Sequence, residues 1–398
     1  MSKSDRSELS VISMSSPDLT DMERQAVAAV LDTPRLSMGP QEAAFEAAVA
    51  EYSGKEYAIA VSSGTAGLHL CVRAAGIAQG DLVITTPFSF VASANVLLYE
   101  RAIPVFVDVD PRTGNIDPLQ ITEALNGITT GGNSAKKWLP RSGVERGGKI
   151  KALLPVDVFG QPAEYDRILP IAHEYQLDVI EDSCEAFGSK YRQGDAGSFG
   201  RVAVFAFYPN KQMTTGEGGM VVTDDQGWAE LIRALRNQGR APGDTWLAHT
   251  YLGYNYRLDE LSAALGAVQV ARLDDLIDKR VKVAEWYSNK LANIQGIETP
   301  WIAPETTRMS WFVYVVRFDP RIDRDHVVKS LAELGIPSRP YFAPIHLQKY
   351  MVERFGYREG DFPVAEDLGR RGLALPFSSV MTEGEVERVC DALREVLT

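Results

Sequence analysis

The chain has 398 residues, with 41 Lys and Arg against 53 Asp and Glu, which gives a formal net charge of −12 at pH 7. This length is sufficient for two domains. A charged fraction of 24% beside 45% hydrophobic residues excludes a wholly disordered chain. The acidic balance provides no electrostatic footprint for nucleic acid or an anionic membrane surface, so neither partner is expected.

Other whole-chain features predict a cytoplasmic protein without a metal site. The first 15 residues are polar and lack the apolar region of a secretory signal, and no apolar run reaches membrane-spanning length. Cys71, Cys184 and Cys390 lie far apart without CxxC spacing, so we expect neither a disulfide framework nor a Cys-rich zinc site. The five histidines show no helical metal-ligand spacing.

Short apolar runs alternate with amphipathic stretches over residues 57–207, which is typical of a mainly parallel sheet covered by helices. The predicted strands are 57–61, 82–85, 104–107, 151–155, 178–181 and 202–207, and the predicted helices include 66–75, 91–99 and 162–175. Segment 129–148 interrupts this rhythm with Gly, Ser and positive charge, and it is predicted to be a surface loop.

The C-terminal third has a different pattern, with fewer strands. The predicted elements are a long helix over 259–291, a strand over 312–318, a helix over 324–334, a Pro-rich loop over 337–344 and a final helix over 383–397. This pattern indicates a smaller α+β domain. We therefore predict a polar leader (1–15), a large domain (16–290) and a small C-terminal domain (291–398).

The segment 205–219, FAFYPNKQMTTGEGG, places Lys211 just past an apolar strand and before a glycine-rich turn. Burial disfavours the ammonium form and lowers the pKa of a lysine, which makes its amine a usable nucleophile that can form a Schiff base. An isolated lysine in a loop is more often simply exposed to solvent.

Two more strands are followed by residues suited to ligand binding. Asp182 ends the apolar run LDVIED, and ligands of parallel sheets bind at the carboxyl ends of strands. Such an Asp could keep a pyridinium nitrogen protonated, although a helix N-cap explains it equally well. Phe90, in TPFSF, could stack on a flat ring, although core packing is the commoner role of such a residue.

The turn SSGTA, residues 62–66, opens a predicted helix and could hold a phosphate with its free amides. An ordinary capping turn has the same sequence signature, so this motif alone is weak evidence.

In combination, the ordered motifs SSGTAG, TPFSF, DSCEAFG, NKxxTTGEGG and GYNYR resemble the sugar aminotransferases of the DegT/DnrJ/EryC1/StrS family. The resemblance runs from about Ser16 to the C-terminus. These enzymes use pyridoxal 5'-phosphate (PLP) and have the type I, aspartate-aminotransferase-like fold. The resemblance therefore implies an α/β fold with a mainly parallel seven-stranded sheet in the large domain and a smaller α+β C-terminal domain.

The same resemblance implies roles for individual residues. Lys211 and Asp182 would be catalytic: Lys211 would form a Schiff base with PLP and later move a proton, and Asp182 would pair with the pyridine nitrogen. Asn255 would reach the cofactor phosphate from the neighbouring subunit, which requires a homodimer with active sites at the interface. The cofactor-binding set implied by the resemblance is Gly64, Thr65, Ala66, Phe90, Asp182, Glu185, Lys211 and Asn255.

Two positions depart from the common family pattern. Ala206 stands where many members have a phosphate-binding Ser. Glu185, expected beside the 3-hydroxyl of the ring, stands where others have His or Gln, and it resembles the perosamine-synthase branch, which aminates C4 of a GDP-linked 4-keto-6-deoxy sugar. Lys211 argues against the related 3-dehydratases, which have His at this position.

The substrate-binding candidates are Gln161, Arg257, Phe342 and His346, with loop 36–39 as a weaker one. The stretch RPYFAPIHL, residues 339–347, resembles the family's PYFxPxH segment, which helps line the sugar-nucleotide site. A rigid Pro-rich connection containing a hydrogen-bonded His is an equally good interpretation.

These observations predict a PLP-dependent aminotransferase that transfers an amino group from L-glutamate to a nucleotide-linked keto sugar, at C4 of a 4-keto-6-deoxy hexose. PLP would cycle with pyridoxamine phosphate (PMP), 2-oxoglutarate would be released, and the product would enter polysaccharide or natural-product biosynthesis. The alternatives are a 3-keto-sugar or keto-inositol aminotransferase and a non-catalytic regulator of the same fold. A nicotinamide oxidoreductase is disfavoured because no GxGxxG motif follows a strand.

Overall fold

The computed structural model describes residues 12–144 and 148–397. The strands are β1 (Tyr57–Val61), β2 (Leu82–Thr85), β3 (Ile103–Phe106), β4 (Ile150–Leu154), β5 (Asp178–Asp182), β6 (Lys190–Tyr191), β7 (Gly194–Asp195), β8 (Val202–Ala206), β9 (Gly219–Thr223), β10 (Ile297–Glu298), β11 (Thr306–Arg308), β12 (Tyr314–Phe318) and β13 (Gly372–Leu375). The helices are α1 (Asp21–Leu31), α2 (Pro40–Ser53), α3 (Gly64–Ala74), α4 (Ala92–Tyr99), α5 (Pro118–Thr130), α6 (Gly132–Lys136), α7 (Tyr165–Glu174), α8 (Gln226–Arg236), α9 (Glu260–Ala271), α10 (Leu273–Leu291), α11 (Arg324–Glu333), α12 (Lys349–Phe355), α13 (Pro363–Arg371) and α14 (Glu383–Leu397).

The predicted α/β fold with a mainly parallel seven-stranded sheet is confirmed. The strand order is β1-β9-β8-β5-β4-β2-β3, and every pairing from β8 through β5, β4 and β2 to β3 is parallel. β9 runs antiparallel to both of its neighbours. This strand was not predicted, because its five residues directly follow the glycine-rich turn and carry no alternation of their own.

A second sheet, β10-β12-β13, packs with α11 and α14 to form what we call the C-terminal unit. Its interior contains buried aromatic side chains such as Tyr314 and Phe318, as the predicted α+β character requires. β11, β6 and β7 form a third, small sheet. In the part of the chain that the structure describes, no helix is long and apolar enough to cross a membrane.

The helix predicted over 259–291 is two helices, α9 and α10, separated at Arg272. The Arg272 guanidinium forms ion pairs with Asp18 at 2.8 Å and Glu23 at 2.5 Å. These ion pairs join the break between α9 and α10 to the first turn of α1 and the residues before it. α10 then contributes to two cores. Leu276 packs beneath the large sheet, whereas Tyr287 lies in the core of the C-terminal unit.

The predicted surface loop over 129–148 is wrong in its first part. α5 extends to Thr130 and the short helix α6 follows it. Ala135 is buried, and the Trp138 side chain packs so closely on Gly127 that a Cβ there would lie 2.7 Å from the indole. These apolar residues recur at helical spacing, a signal that the surrounding Gly and Ser residues obscured. Residues 145–147 lie outside the described residues.

Most of the predicted leader, residues 1–11, also lies outside the described residues. The described part of the leader packs against the C-terminal unit. Ile12 is buried in the core of the C-terminal unit, and the Met14 carbonyl accepts a hydrogen bond from the Phe377 amide at 2.9 Å. The predicted domain boundary at 290 stays a prediction, and it coincides with the end of the helix that both cores share.

One buried arginine of α10 connects the two cores. Arg280 is 2% exposed, and its Nη1 donates to the carbonyls of Trp311 (3.1 Å) and Phe312 (3.3 Å). Its Nη2 donates to the carbonyls of Asn210 (3.3 Å) and Lys211. No carboxylate lies within 4.0 Å of it in residues 12–144 and 148–397, and burial lowers the pKa of the guanidinium to about 10. Arg280 thus holds the turn of Lys211 against the segment that leads into β12.

We expect Arg280→Met to lower the free energy of unfolding by about 3 kcal/mol, because several buried carbonyls lose their donors while the volume is largely retained. The measurement is urea unfolding followed by circular dichroism at one protein concentration. The control is Lys282→Met on the exposed side of the same helix, expected to change stability by less than about 0.5 kcal/mol. Equal losses in the two variants would contradict the connecting role of Arg280.

Candidate active site

The carboxyl ends of β5 and β8 and the amino end of α3 meet at one edge of the large sheet. β5 ends at Asp182, β8 leads into the turn that carries Lys211, and α3 begins directly beside them. A Cβ at Gly64 would lie 2.7 Å from the Ala206 Cβ and 2.8 Å from the Cys184 Sγ. Only glycine therefore permits this approach of α3 to the ends of β8 and β5.

The Lys211 side chain is only 12% exposed, as the sequence predicts for a lysine at the end of a buried strand. Its Nζ lies 3.7 Å from the Glu185 Oε1 and 3.7 Å from the ring centre of Phe312. The aromatic face and the carboxylate both stabilise a positive charge on the amine. The structure thus gives Lys211 a fixed, desolvated environment with one nearby acidic partner.

Glu185 is buried on the other side of this amine. Its Oε2 accepts a hydrogen bond from the Phe159 amide at 2.8 Å. Burial raises the pKa of the Glu185 carboxyl, and the charge of Lys211 opposes that shift. The Gln212 side-chain amide donates to the Glu185 carbonyl at 2.5 Å and to the Ser310 Oγ at 2.8 Å, which fixes the residue after Lys211 as well.

Asp182 is 4% exposed and is held by groups that the sequence analysis did not identify. The Ser93 hydroxyl donates to its Oδ2 at 2.6 Å, and the Cys184 amide approaches its Oδ1 at 3.3 Å. Ser93 is in turn 2.9 Å from the Ser89 hydroxyl. Ser89 and Ser93, four residues apart after β2, were the signal in the sequence that could have indicated this contact. The local sequence does not connect them with Asp182, which lies 89 residues after Ser93.

Two more carboxylates are fully buried behind Asp182. Asp157 accepts hydrogen bonds from the hydroxyls of Ser183 (2.7 Å) and Tyr165 (2.8 Å), and Glu181 accepts one from the Gly197 amide at 3.0 Å. Burial, and then the repulsion between these two groups, raises the pKa of Glu181, and burial is also the main cause of the raised pKa of Asp157. This concentration of carboxyl groups favours a cation, such as a protonated ring nitrogen, beside Asp182.

The first turn of α3 has the geometry expected of a phosphate cradle. Ser63 is the N-cap, and its hydroxyl accepts from the Ala66 amide at 3.1 Å, while the Gly67 amide donates to the Ser63 carbonyl. The amides of Gly64 and Thr65 have no preceding carbonyl within the helix, and the positive end of the helix dipole lies at this point. These amides can therefore receive an anion.

Of the two phenylalanines in TPFSF, only Phe90 is available to a ligand. Phe90 is 60% exposed, which is unusual for a residue with a side chain of this size. Phe88 is 2% exposed and packs edge-on against the rings of Phe159 and Phe342. Core packing is therefore the role of Phe88, and Phe90 is the ring left for stacking.

Asn255 is exposed and lies outside the buried cores. Its backbone forms an isolated bridge with Asn237, in an extended segment whose Ser62-to-Tyr256 hydrogen bond joins it to the end of β1. Its neighbour Arg257 donates to the Asn237 Oδ1 at 3.1 Å.

The remaining substrate-binding candidates lie mostly in the interior. His346 is fully buried with its Nε2 2.9 Å from the Glu366 Oε1, and burial lowers its pKa, which fits the hydrogen-bonded structural histidine of the alternative interpretation. Phe342 is 7% exposed and stacks on Phe159 at 5.1 Å between ring centres. The Gln161 Oε1 accepts from the Ala303 amide at 2.6 Å, so this side chain is engaged in joining two chain segments.

The three cysteines are free thiols: Cys71 and Cys390 are buried, and Cys184 lies beside the site. Burial raises the pKa of the Cys184 thiol, so it is not a reactive thiolate. No cluster of three or more His, Cys, Asp and Glu arranged to hold a metal occurs in the ranges described.

Comparison with known proteins agrees with this geometry. Residues 17–394 match the DegT/DnrJ/EryC1/StrS aminotransferase family. The chain is 39% identical over 394 residues to GDP-perosamine synthase of Caulobacter vibrioides, covering 98% of this chain and 100% of that protein. It is 32% identical to GDP-perosamine synthase of Escherichia coli O157:H7, covering 95% and 96%.

The fold agrees as well. The solved structure of S. venezuelae DesV in complex with a ketimine intermediate superimposes with a TM-score of 0.85 at 32% identity, covering 97% of this chain and 98% of that one. The chain therefore belongs to the DegT/DnrJ/EryC1/StrS aminotransferase family.

Proposed function

We propose that the protein is a PLP-dependent aminotransferase that transfers an amino group from L-glutamate to C4 of a nucleotide-linked 4-keto-6-deoxy sugar. The observation that carries this proposal is the desolvated Lys211 amine, 3.7 Å from buried Glu185, beside the carboxyl end of the strand that presents Asp182. The relatives named GDP-perosamine synthase support the C4 position and the nucleotide sugar.

The residues present fit PLP. The free amides of Gly64 and Thr65 suit its phosphate, and the buried Asp182 suits a protonated ring nitrogen. The exposed ring of Phe90 suits its flat face. Ala206 offers no hydroxyl to the phosphate, so more of that contact rests on backbone amides and on Asn255. Bound PLP would supply the electron sink that lets a proton leave the carbon bearing the amine.

Lys211 is the group that would accept and return this proton. Its amine lies 3.7 Å from the ring centre of Phe312 and 3.7 Å from the Glu185 Oε1, and these two contacts restrict its position. Burial raises the pKa of Glu185, which would let this side chain share a proton with the hydroxyl of bound PLP. The buried Asp182, fixed by Ser93, would hold the ring orientation throughout.

The proposal includes a homodimer in which Asn255 contacts the phosphate bound by the partner subunit. Asn255 is exposed in its own subunit, and the preceding loop exposes large apolar side chains that a second copy would cover. These are Trp246 (76% exposed), Leu247 (83%) and Leu252 (80%). A cytoplasmic location and a role in polysaccharide or natural-product sugar biosynthesis stay predictions.

The first test is the visible absorption spectrum of the PLP-loaded protein before and after L-glutamate. We expect a visible band from protein-bound PLP that glutamate converts to the PMP spectrum, because amino transfer leaves the amine on the cofactor. Lys211→Ala should lose transamination entirely, since Lys211 is the lysine that lies beside Glu185 and Phe312 in residues 12–144 and 148–397.

The control is Lys349→Ala, whose side chain is 87% exposed and which should behave as the wild type. A wild-type band that ignores glutamate would remove glutamate as the donor, and normal turnover by Lys211→Ala would remove the proposed mechanism.

We expect Asn255→Ala to bind PLP on the order of tenfold more weakly, because the phosphate loses one charge-assisted hydrogen bond. Equilibrium dialysis against PLP measures this change, and the exposed Asn293→Ala is the matched control.

Mixing Lys211→Ala with Asn255→Ala tests whether the contact crosses the dimer. At a PLP concentration that leaves Asn255→Ala empty, mixed dimers should regain one intact site each, giving about a quarter of wild-type activity after random exchange. Absence of recovery despite confirmed subunit exchange would place Asn255 in the site of its own subunit.

A further inference from the structure

His69 is a buried histidine that the proposed mechanism does not use. It lies in the second turn of α3, the helix whose first turn has the geometry of a phosphate cradle, and it is 4% exposed. Its Nε2 lies 2.8 Å from the Glu100 Oε1, and its Nδ1 lies 3.1 Å from the Tyr256 hydroxyl. His69 therefore connects α3 with two segments that are distant in the sequence.

The directions of these two hydrogen bonds follow from the charge of Glu100. Burial opposes ionisation of this carboxyl, but hydrogen bonds from His69 and Arg73 lower its pKa. An ionised carboxylate only accepts hydrogen bonds, so the proton of the imidazole is on Nε2. Burial lowers the pKa of His69, which keeps the ring neutral and leaves Nδ1 to accept from the Tyr256 hydroxyl. One tautomer of His69 thus satisfies both neighbours.

A second tyrosine belongs to the same network. The Tyr254 hydroxyl donates to the Glu100 Oε1 at 3.3 Å, and the Tyr254 ring centre lies 4.7 Å from that of His69. The rings of Tyr254 and Tyr256 stack at 5.0 Å with planes only 10° apart. Both tyrosines are therefore fixed by ring packing and by their hydroxyl groups.

The residue between these two tyrosines is Asn255. The amides of Tyr254 and Tyr256 donate to carbonyls at the end of α8, at 2.6 Å and 3.0 Å, which holds the segment extended. Neighbouring side chains of an extended segment point to opposite faces. Because both tyrosines point towards His69, the exposed Asn255 side chain points the other way. The tyrosine hydroxyls therefore resist any rotation of the segment that would turn Asn255.

We propose that His69 and Glu100 are positioning residues that direct Asn255 towards the cofactor phosphate held by the partner subunit. Both act through Tyr254 and Tyr256. A buried hydrogen-bond network whose members are satisfied holds one geometry, and a hydrogen bond to phosphate depends on accurate placement of its donor. The proposal rests on the function proposed above, because it takes Asn255 to contact the partner's phosphate.

The first test measures the dissociation constant of PLP by equilibrium dialysis. His69→Phe keeps a ring but removes both hydrogen bonds, and Tyr256→Phe removes only one hydroxyl. Each should weaken PLP binding on the order of fivefold, which is less than the loss in Asn255→Ala because the contact is displaced and not deleted. Glu100→Leu should match His69→Phe. Glu100→Gln should restore part of the loss, since it retains an acceptor for the His69 Nε2.

A double variant separates positioning from a general loss of structure. If His69 acts through Asn255, adding His69→Phe to Asn255→Ala should cause no further loss of PLP affinity. A further fivefold loss would overturn the proposal, and so would wild-type affinity in both His69→Phe and Tyr256→Phe. The matched control is His173→Phe, an exposed histidine that should bind PLP as the wild type does.

Mixed dimers show which active site His69 serves. After random exchange with Lys211→Ala, each mixed dimer has its intact Lys211 in the His69→Phe subunit and receives Asn255 from a subunit with an intact His69. At a PLP concentration that loads most of the wild type and little of His69→Phe, about a quarter of the wild-type visible band should return. Absence of recovery despite confirmed exchange would overturn the proposal, because His69 would then support the cradle of its own subunit.

The glutamate-driven spectral change separates this proposal from the proposed function. If glutamate leaves the wild-type band unchanged while His69→Phe adds nothing to the loss of PLP affinity in Asn255→Ala, the function is wrong and the positioning role stands. If the reaction proceeds and the two losses add, the function stands and the positioning role is wrong.

Discussion

The uncompensated guanidinium of Arg280 is the interaction on which the site depends. A cation without a carboxylate partner is costly to bury, and here the cost is offset by carbonyl oxygens from both cores. Two of those carbonyls belong to Lys211 and to Phe312, whose ring lies under the Lys211 amine. The position of the amine is therefore set jointly by the large sheet and the C-terminal unit.

The carboxylates around this amine differ in the groups that they contact. Glu185 lies 3.7 Å from the Lys211 amine, and Asp182 accepts a hydrogen bond from the Ser93 hydroxyl. Asp157 and Glu181 behind them are buried and accept hydrogen bonds from hydroxyl and amide groups. A site built in this way favours positive charge at two points, the lysine amine and a group beside Asp182. Those are the two points at which transamination needs protons to be held.

Several side chains to which the proposed function gives a cofactor, substrate or partner contact are exposed to solvent in this chain. Phe90, Asn255 and Trp246 are exposed, and Arg240 and Arg257 retain donors without carboxylate partners in the described ranges. In the homodimer proposed above, a second copy of the chain would cover the exposed apolar side chains.

The parallel strands and the main motifs of the candidate site could be predicted from the sequence, because the signals that indicate them are local. Apolar runs located the parallel strands to within a few residues, and the motifs around Lys211, Asp182 and Gly64 identified the family that the comparisons confirmed. Each of these signals lies within about ten residues of chain, the range over which periodicity and turn chemistry act.

Tertiary structure alone decided which distant residues meet. It placed Arg280 against the carbonyl of Lys211, 69 residues earlier, and Ser93 on Asp182, 89 residues later. It also buried His346 against Glu366 and gathered Arg240 and Arg257 in one groove. These contacts depend on how the chain folds into two cores. The local sequence around a side chain does not indicate which distant residue the fold will bring into contact with it.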